Sequence, residues 1–324
     1  MIRAWFVLVA ALLAAAPAAD ATFPGRNGGF AVTAPGCEEN QHIQLLSEAG
    51  RTLRDLTPRC ERVGEDAFLD TLGPSWAPNG GRLAYVRRVF GGPLEIASLP
   101  LDGGPVSHFG PPYGPRGGDQ GPTYSPEGDR LAYEYNGTLY TAAIDGSEHR
   151  EVHGGRPFYT RPRWSPDGRT LLVERPSRSA LVLVDAQGGH WLRRIARGAH
   201  EADWSPDGRW IVFRTRYRQD EIEGGASGGN LYVVRADRRR GSRPRRIVHR
   251  ERTAETSPVF SPDGRWIAWV SLRFTAGDVG FRVYPSLWRM RFPGGRPQRL
   301  RFLPQPFVEE AFFSAPQIAW RPIA

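Results

Sequence analysis

A short phrase returns five times along this chain: an aromatic residue, Ser or Ala, Pro, a polar residue, Gly and soon an Arg. It reads Trp76-Ala77-Pro78-Asn79-Gly80, Tyr124-Ser125-Pro126-Glu127-Gly128, Trp164-Ser165-Pro166-Asp167-Gly168, Trp204-Ser205-Pro206-Asp207-Gly208 and Phe260-Ser261-Pro262-Asp263-Gly264. Successive aromatics stand 48, 40, 40 and 56 residues apart, and a truncated copy, Trp320-Arg321-Pro322, follows Phe260 by 60. A period of this size marks a stack of supersecondary units. It constrains the architecture strongly and the chemistry weakly.

Each phrase reads as a hairpin turn. Proline presets φ for the second turn position, and a short polar residue followed by Gly suits the rest. The aromatic closes a strand before the turn. Runs rich in β-branched and aromatic residues begin after it, such as Leu83-Ala84-Tyr85-Val86, Ile211-Val212-Phe213 and Ile267-Ala268-Trp269-Val270. A third apolar run and a short fourth one complete each unit, giving four antiparallel strands, A to D, as in a propeller blade. A-strands end at Trp76, Tyr124, Trp164, Trp204, Phe260 and Trp320, and B-strands begin near Phe30, Leu83, Leu131, Leu171, Ile211 and Ile267. The count predicts an all-β, six-bladed β-propeller whose first blade borrows its A-strand from the C-terminus. That join would remove two exposed sheet edges.

The Trp-Ser-Pro-Asp-Gly-Arg phrase, followed by an apolar strand, resembles the repeat of the TolB-like six-bladed β-propeller family. The opening Phe23-Pro24-Gly25-Arg26-Asn27-Gly28 looks like a degenerate first copy. The resemblance covers the propeller part only and implies a single propeller over residues 22–324.

Residues 1–21 read as a signal peptide: Arg3, an apolar run over 5–16, and a small-x-small site at Ala19-Asp20-Ala21. That run falls short of the roughly 20 residues a spanning helix needs. The expectation is an exported protein, secreted or periplasmic, with no membrane span after the signal is removed. Cys37 and Cys60 are the only cysteines, and an isolated pair in an exported chain reads as a disulfide. Both would sit at one end of the first blade. The formal charge is +9, and every basic residue is Arg. Affinity for anionic polymers is one reading. Composition is the other, since Arg, Ala, Gly and Pro rise together in a GC-rich genome.

Strand direction puts the A–B and C–D turns at one end of every blade and the B–C and D–A loops at the other. The long segments, 58–73, 110–121, 216–229, 273–285 and 303–316, all belong to the second end, where binding sites gather. Counting back from each A-strand aromatic places Asp119 and Gln120, Tyr159 and Arg161, His200 and Glu201, Glu255 and Thr256, and Gln317 at the channel mouth. This mixed polar ring is either a ligand site or the ordinary wet lining of a channel.

Motifs for chemistry are weak. Gly225-Ala226-Ser227-Gly228-Gly229 matches a nucleophile elbow but lies between strands. His149 and His153 are four apart without a helix to align them. No cofactor or metal motif is present, and no nucleic-acid partner is expected. The reading is a non-catalytic scaffold that binds a protein or cell-envelope glycan through the long-loop face. The alternative is a carbohydrate-active lyase or hydrolase working on an anionic polysaccharide with Arg161, His200 and Glu201.

Overall fold

The computed structural model describes residues 23–37, 40–59, 69–89, 94–109, 121–135, 137–154, 156–215, 229–237, 243–250, 253–276, 281–304 and 316–323. Among the described residues, twenty-four strands form six four-stranded antiparallel sheets. The first blade orders β24 (Ile318–Ile323), β1 (Arg26–Pro35), β2 (Gln41–Leu46) and β3 (Thr52–Asp55). The second holds β4 (Leu69–Trp76), β5 (Arg82–Val89), β6 (Leu94–Pro100) and β7 (Ser107–Phe109). β8 (Thr123–Tyr124), β9 (Arg130–Tyr135), β10 (Thr138–Ala143) and β11 (Arg150–His153) make the third. The fourth is β12 (Thr160–Trp164), β13 (Thr170–Arg175), β14 (Ala180–Asp185) and β15 (Trp191–Arg197). The fifth is β16 (Ala199–Trp204), β17 (Trp210–Thr215), β18 (Leu231–Arg235) and β19 (Arg245–Val248). β20 (Thr253–Phe260), β21 (Trp266–Ala276), β22 (Phe281–Arg291) and β23 (Gln298–Phe302) close the ring as the sixth.

The molecule is therefore a six-bladed propeller with its seam in the first blade. There Phe30 pairs with Trp320 and Val32 with Ile318. The Phe30 and Trp320 rings lie 4.5 Å apart, and the indole N–H donates to the Gly28 carbonyl at 3.2 Å. No described helix is long and apolar enough to cross a membrane.

Apolar side chains fill the spaces between blades rather than one common centre. Leu172, Leu181 and Leu183 of the fourth blade pack with Trp204, Ile211 and Phe213 of the fifth. Across the seam, Phe30, Val32 and Leu46 meet Val270 and Leu287 of the sixth blade. Full burial of one such side chain contributes about 1.5–3 kcal/mol, so the ring is held by neighbour contacts.

The recurring phrase has a definite hydrogen-bonding function. Ser205 Oγ donates to Asp207 Oδ1 (2.6 Å) and accepts the Trp210 N–H (2.9 Å), while Asp207 Oδ1 accepts the Arg209 N–H (3.0 Å). The same bonds recur at Ser165 and Ser261. Gly208, at φ +63°, lies against the Pro166 ring of the preceding blade, and Gly264 lies against Pro206. Gly and Pro are thus spaced so that successive turns nest around the ring. Outer-strand arginines make a second set of ties to the next blade's C–D turn. Arg193 donates to Asp237 O (2.9 Å), Arg245 to Pro293 O (2.8 Å) and Arg301 to Gly50 O (3.0 Å).

One expected loop differs. Much of 273–285 is strand: Leu272 pairs with Pro285 and Ala276 with Phe281, extending the B–C hairpin of the sixth blade. Residues such as Thr275, Val283 and Tyr284 suit a strand and carry the ladder onward.

Candidate functional site at the channel mouth

The six innermost strands meet around the axis in the order β24, β4, β8, β12, β16, β20. In four of them the A–B pairing slips by one residue just before the aromatic, between Leu72 and Ser75, Thr160 and Arg163, His200 and Asp203, and Thr256 and Val259. The first residue of each bulge has positive φ: Gly73 (60°), Arg161 (52°), Glu201 (46°) and Ser257 (50°). A left-handed backbone suits Gly and costs other L-residues about 1–2 kcal/mol. Three side chains are held here against that cost.

Glu201 lies at the centre of what they build. Arg214 grips its carboxylate twice, Nε to Oε2 at 2.8 Å and Nη2 to Oε1 at 3.0 Å. Arg161 Nη1 stands 3.4 Å from Oε1. Thr256 Oγ1 and the Ser257 N–H donate to Oε2 at 2.5 and 2.8 Å. Burial alone would raise the Glu201 carboxyl, but the Arg214 and Arg161 charges with these hydrogen bonds hold it well below the usual carboxylate range. Glu174 extends the cluster: it accepts the Glu201 N–H at 2.7 Å, lies 3.5 Å from Arg161 Nε, and meets His200 Nδ1 at 3.1 Å. The other imidazole nitrogen, His200 Nε2, is buried.

Arg161, His200 and Glu201 therefore do converge, although nothing in the repeat required it. Gln317 joins the same end of the channel, its Oε1 accepting the Gly73 N–H at 2.5 Å. Tyr159 and Glu255 go elsewhere. Tyr159 is 2% exposed and packs with Trp164 and Val152 between the third and fourth blades, where burial raises its phenol. Glu255 is 1% exposed; Trp269 Nε1 (2.5 Å), Thr253 Oγ1 (2.7 Å) and Ser271 Oγ (3.3 Å) donate to it, and desolvation still raises its carboxyl above the ordinary value. Asp119 and Gln120 lie outside the described residues, as do Cys60, residues 225–228 of the elbow-like sequence and most of the long loops.

Glu174 and Arg214 were not singled out from sequence, yet a signal existed. Each stands ten residues after its A-strand aromatic, and the hairpin register sets that position opposite the residue four before it: Thr160 with Glu174, His200 with Arg214.

Below the mouth is a cavity of about 70 Å³. The residue before each aromatic faces it, one per blade: Ser75, Thr123, Arg163, Asp203, Val259 and Ala319. Desolvation lowers the Arg163 guanidinium, and Asp203 is its main counter-charge. Phe23 lines the A–B-turn end, buried with Ala77 and Tyr124. Such a space suits a few waters. Among the described residues, no group of three or more His, Cys, Asp or Glu is placed to hold a metal ion.

No family model matches the sequence, and no curated protein sequence matches it. Solved structures do resemble it. TolB from Acinetobacter baumannii superimposes with a TM-score of 0.65 at 17% identity, over 91% of this chain and 67% of that one. A structure described as TolB from Agrobacterium tumefaciens gives 0.57 at 20%, over 92% and 100%. A chain of a nidogen/laminin complex gives 0.55 at 10%, over 91% and 99%. The likeness is one of fold.

Proposed function

We propose that this chain is an exported, non-catalytic scaffold of the secreted or periplasmic/cell-envelope space that binds a protein or envelope glycan through its B–C/D–A face. The observation that carries this reading is the full engagement of Glu201. A general acid or base must change protonation near its working pH and reach its substrate. Glu201 is held ionised by two guanidinium groups and also accepts two further hydrogen bonds, while His200 turns one nitrogen to Glu174 and buries the other. A carboxylate satisfied in this way ties the fourth, fifth and sixth blades together and leaves recognition to the long loops. The TolB-like folds and the fold from a nidogen/laminin assembly are in keeping with a protein partner.

The test is affinity capture from envelope and culture fractions, using the intact chain and one with 216–229 shortened. Loss of a specific component on shortening, with an unchanged melt, is the expected result. Turnover of an acidic polysaccharide that disappears in His200→Ala would overturn the reading.

The proposal includes a Cys37–Cys60 disulfide. Its support is the Cys37 N–H bond to Arg59 O (3.3 Å), which brings Cys37 beside the residue preceding Cys60. Closing that loop stabilises by on the order of 3 kcal/mol. A thiol assay finding two free cysteines in the denatured, unreduced protein would remove it.

A further inference from the structure

The arginine excess is unevenly placed. Each D-strand is the outermost of its blade, and together the six form the rim. In the first three blades, β3 carries one Arg and one Asp, β7 neither, and β11 one Arg and one Glu. In the next three, β15, β19 and β23 carry three, two and two arginines and no acid. No Asp or Glu occurs anywhere in 191–197, 243–250 or 291–302. A genome-wide preference for Arg would enrich all six rims alike. The asymmetry needs a cause that acts on one half of the ring.

We propose that the outer rim of the fourth to sixth blades is a binding strip for an acidic polysaccharide, separate from the long-loop face. Three observations converge on it. First, the charge is presented: Arg197, Arg246 and Arg299 are exposed. Second, the three blades of the strip are tied to one another at the rim, because Arg193 reaches the C–D turn of the fifth blade and Arg245 that of the sixth. Blades tied in this way hold the backbones that carry the exposed arginines at fixed spacing, which lowers the ordering cost of binding a polyanion.

Third, shape and composition choose the partner. The strip follows the convex flank of half the ring, which a flexible chain can track, whereas a flat bilayer would touch one blade at a time. Single-stranded nucleic acid is bound by aromatic platforms on which successive bases stack. Only Trp191 and Phe302, at the two ends of the strip, are exposed aromatics of this rim among the described residues. Repeated carboxylate or sulfate groups on a sugar chain need spaced cations, and an occasional aromatic face suffices for a sugar ring.

The probe is a heparin oligosaccharide carrying sulfate and carboxylate, with neutral dextran as control. Arg197→Gln/Arg246→Gln/Arg299→Gln should weaken heparin binding by on the order of tenfold or more near 0.1 M salt and flatten its salt dependence, as expected for counterion release from a polyanion. Arg51→Gln/Arg54→Gln/Arg150→Gln removes the same charge from the other half and should change affinity by less than about threefold. Shortening 216–229 should leave heparin affinity unchanged even if it abolishes partner capture, so the two proposals fail separately. Equal losses in both triple variants, no retention of the intact chain on heparin at low salt, or tighter binding of phosphatidylglycerol vesicles or single-stranded DNA through the same arginines would each overturn the assignment. If the first triple variant does not fold, heparin protection of Arg246 from phenylglyoxal in the intact chain decides the matter: protection supports the strip and its absence refutes it.

Discussion

Gly73 and Glu201 occupy the same place in the repeat, three residues before the A-strand aromatic, at similar positive φ. In the second blade this position carries no side chain and its backbone presses against Gly121 of the third; a Cβ there would fall within van der Waals radii of the Gly121 Cα. In the fifth blade it carries a carboxylate that binds two arginines and the start of the sixth blade's bulge. At Gly73 neighbouring blades meet by backbone contact, and at Glu201 by charge. Equal backbones can thus serve a close approach or an electrostatic hub, and the residue type reveals which.

The strongest way to break this comparison is Gly73→Ala. A left-handed alanine and a clash with backbone that cannot swing away should together cost about 2–4 kcal/mol in denaturant unfolding. Glu201→Gln comes next. It leaves Arg214 and Arg161 without their anion, and losing one partner of a buried pair costs roughly 3 kcal/mol. A double-mutant cycle with Arg214→Gln should recover part of that loss; additive effects would dissolve the hub.

Acid titration separates Glu201 from Glu255. The Glu201 carboxyl is depressed in the fold, so its stabilisation is complete above the unfolded value near 4.5 and is lost as pH falls through the lower folded value. Glu255 is raised, so its contribution is complete below the unfolded value and declines as pH rises toward the folded one. Glu255→Gln should therefore change stability by less than about 1 kcal/mol at pH 4 and compare more favourably with the parent at pH 8. Melting curves across pH 3–8 check both signs.

The smallest effect sharpens the contrast. Ser257→Gly removes the Oγ bond to Pro316 O (3.3 Å) but keeps the N–H bond to Glu201 and relieves a left-handed backbone. Stability should move by no more than about 0.5 kcal/mol. A loss above about 1.5 kcal/mol would mean that the hydroxyl has a larger part than the backbone amide.

Tyr159 and Glu255 show where linear counting stops working. Both stand five residues before an aromatic, on the side of the strand that simple alternation assigns to the channel. The bulge at the third residue adds one to the count and reverses every facing beyond it. Both side chains consequently enter the packing between blades. Arg161 and Glu201 stand at the bulge itself and remain at the mouth, and Gln317 takes the same place in the repeat on a strand without a bulge there. In the three Ser-Pro-Asp-Gly turns the Asp side chain binds Ser Oγ and an Arg N–H, a local bond that the turn sequence contains in full.

By itself the sequence determined the blade number, the hairpin at each Ser-Pro-Asp-Gly turn and the closure of the ring by Trp320 against Phe30. Those features depend on short-range turn chemistry and on strand patterning, which a repeat writes out several times. Only the tertiary structure decided that Arg161, Glu174, Glu201 and Arg214 form one network, that Arg163 and Asp203 face the same lumen, and that the arginine-bearing strands β15, β19 and β23 are the outer edges of successive blades. These depend on how separate blades face one another across the axis and along the rim, distances that no single repeat contains.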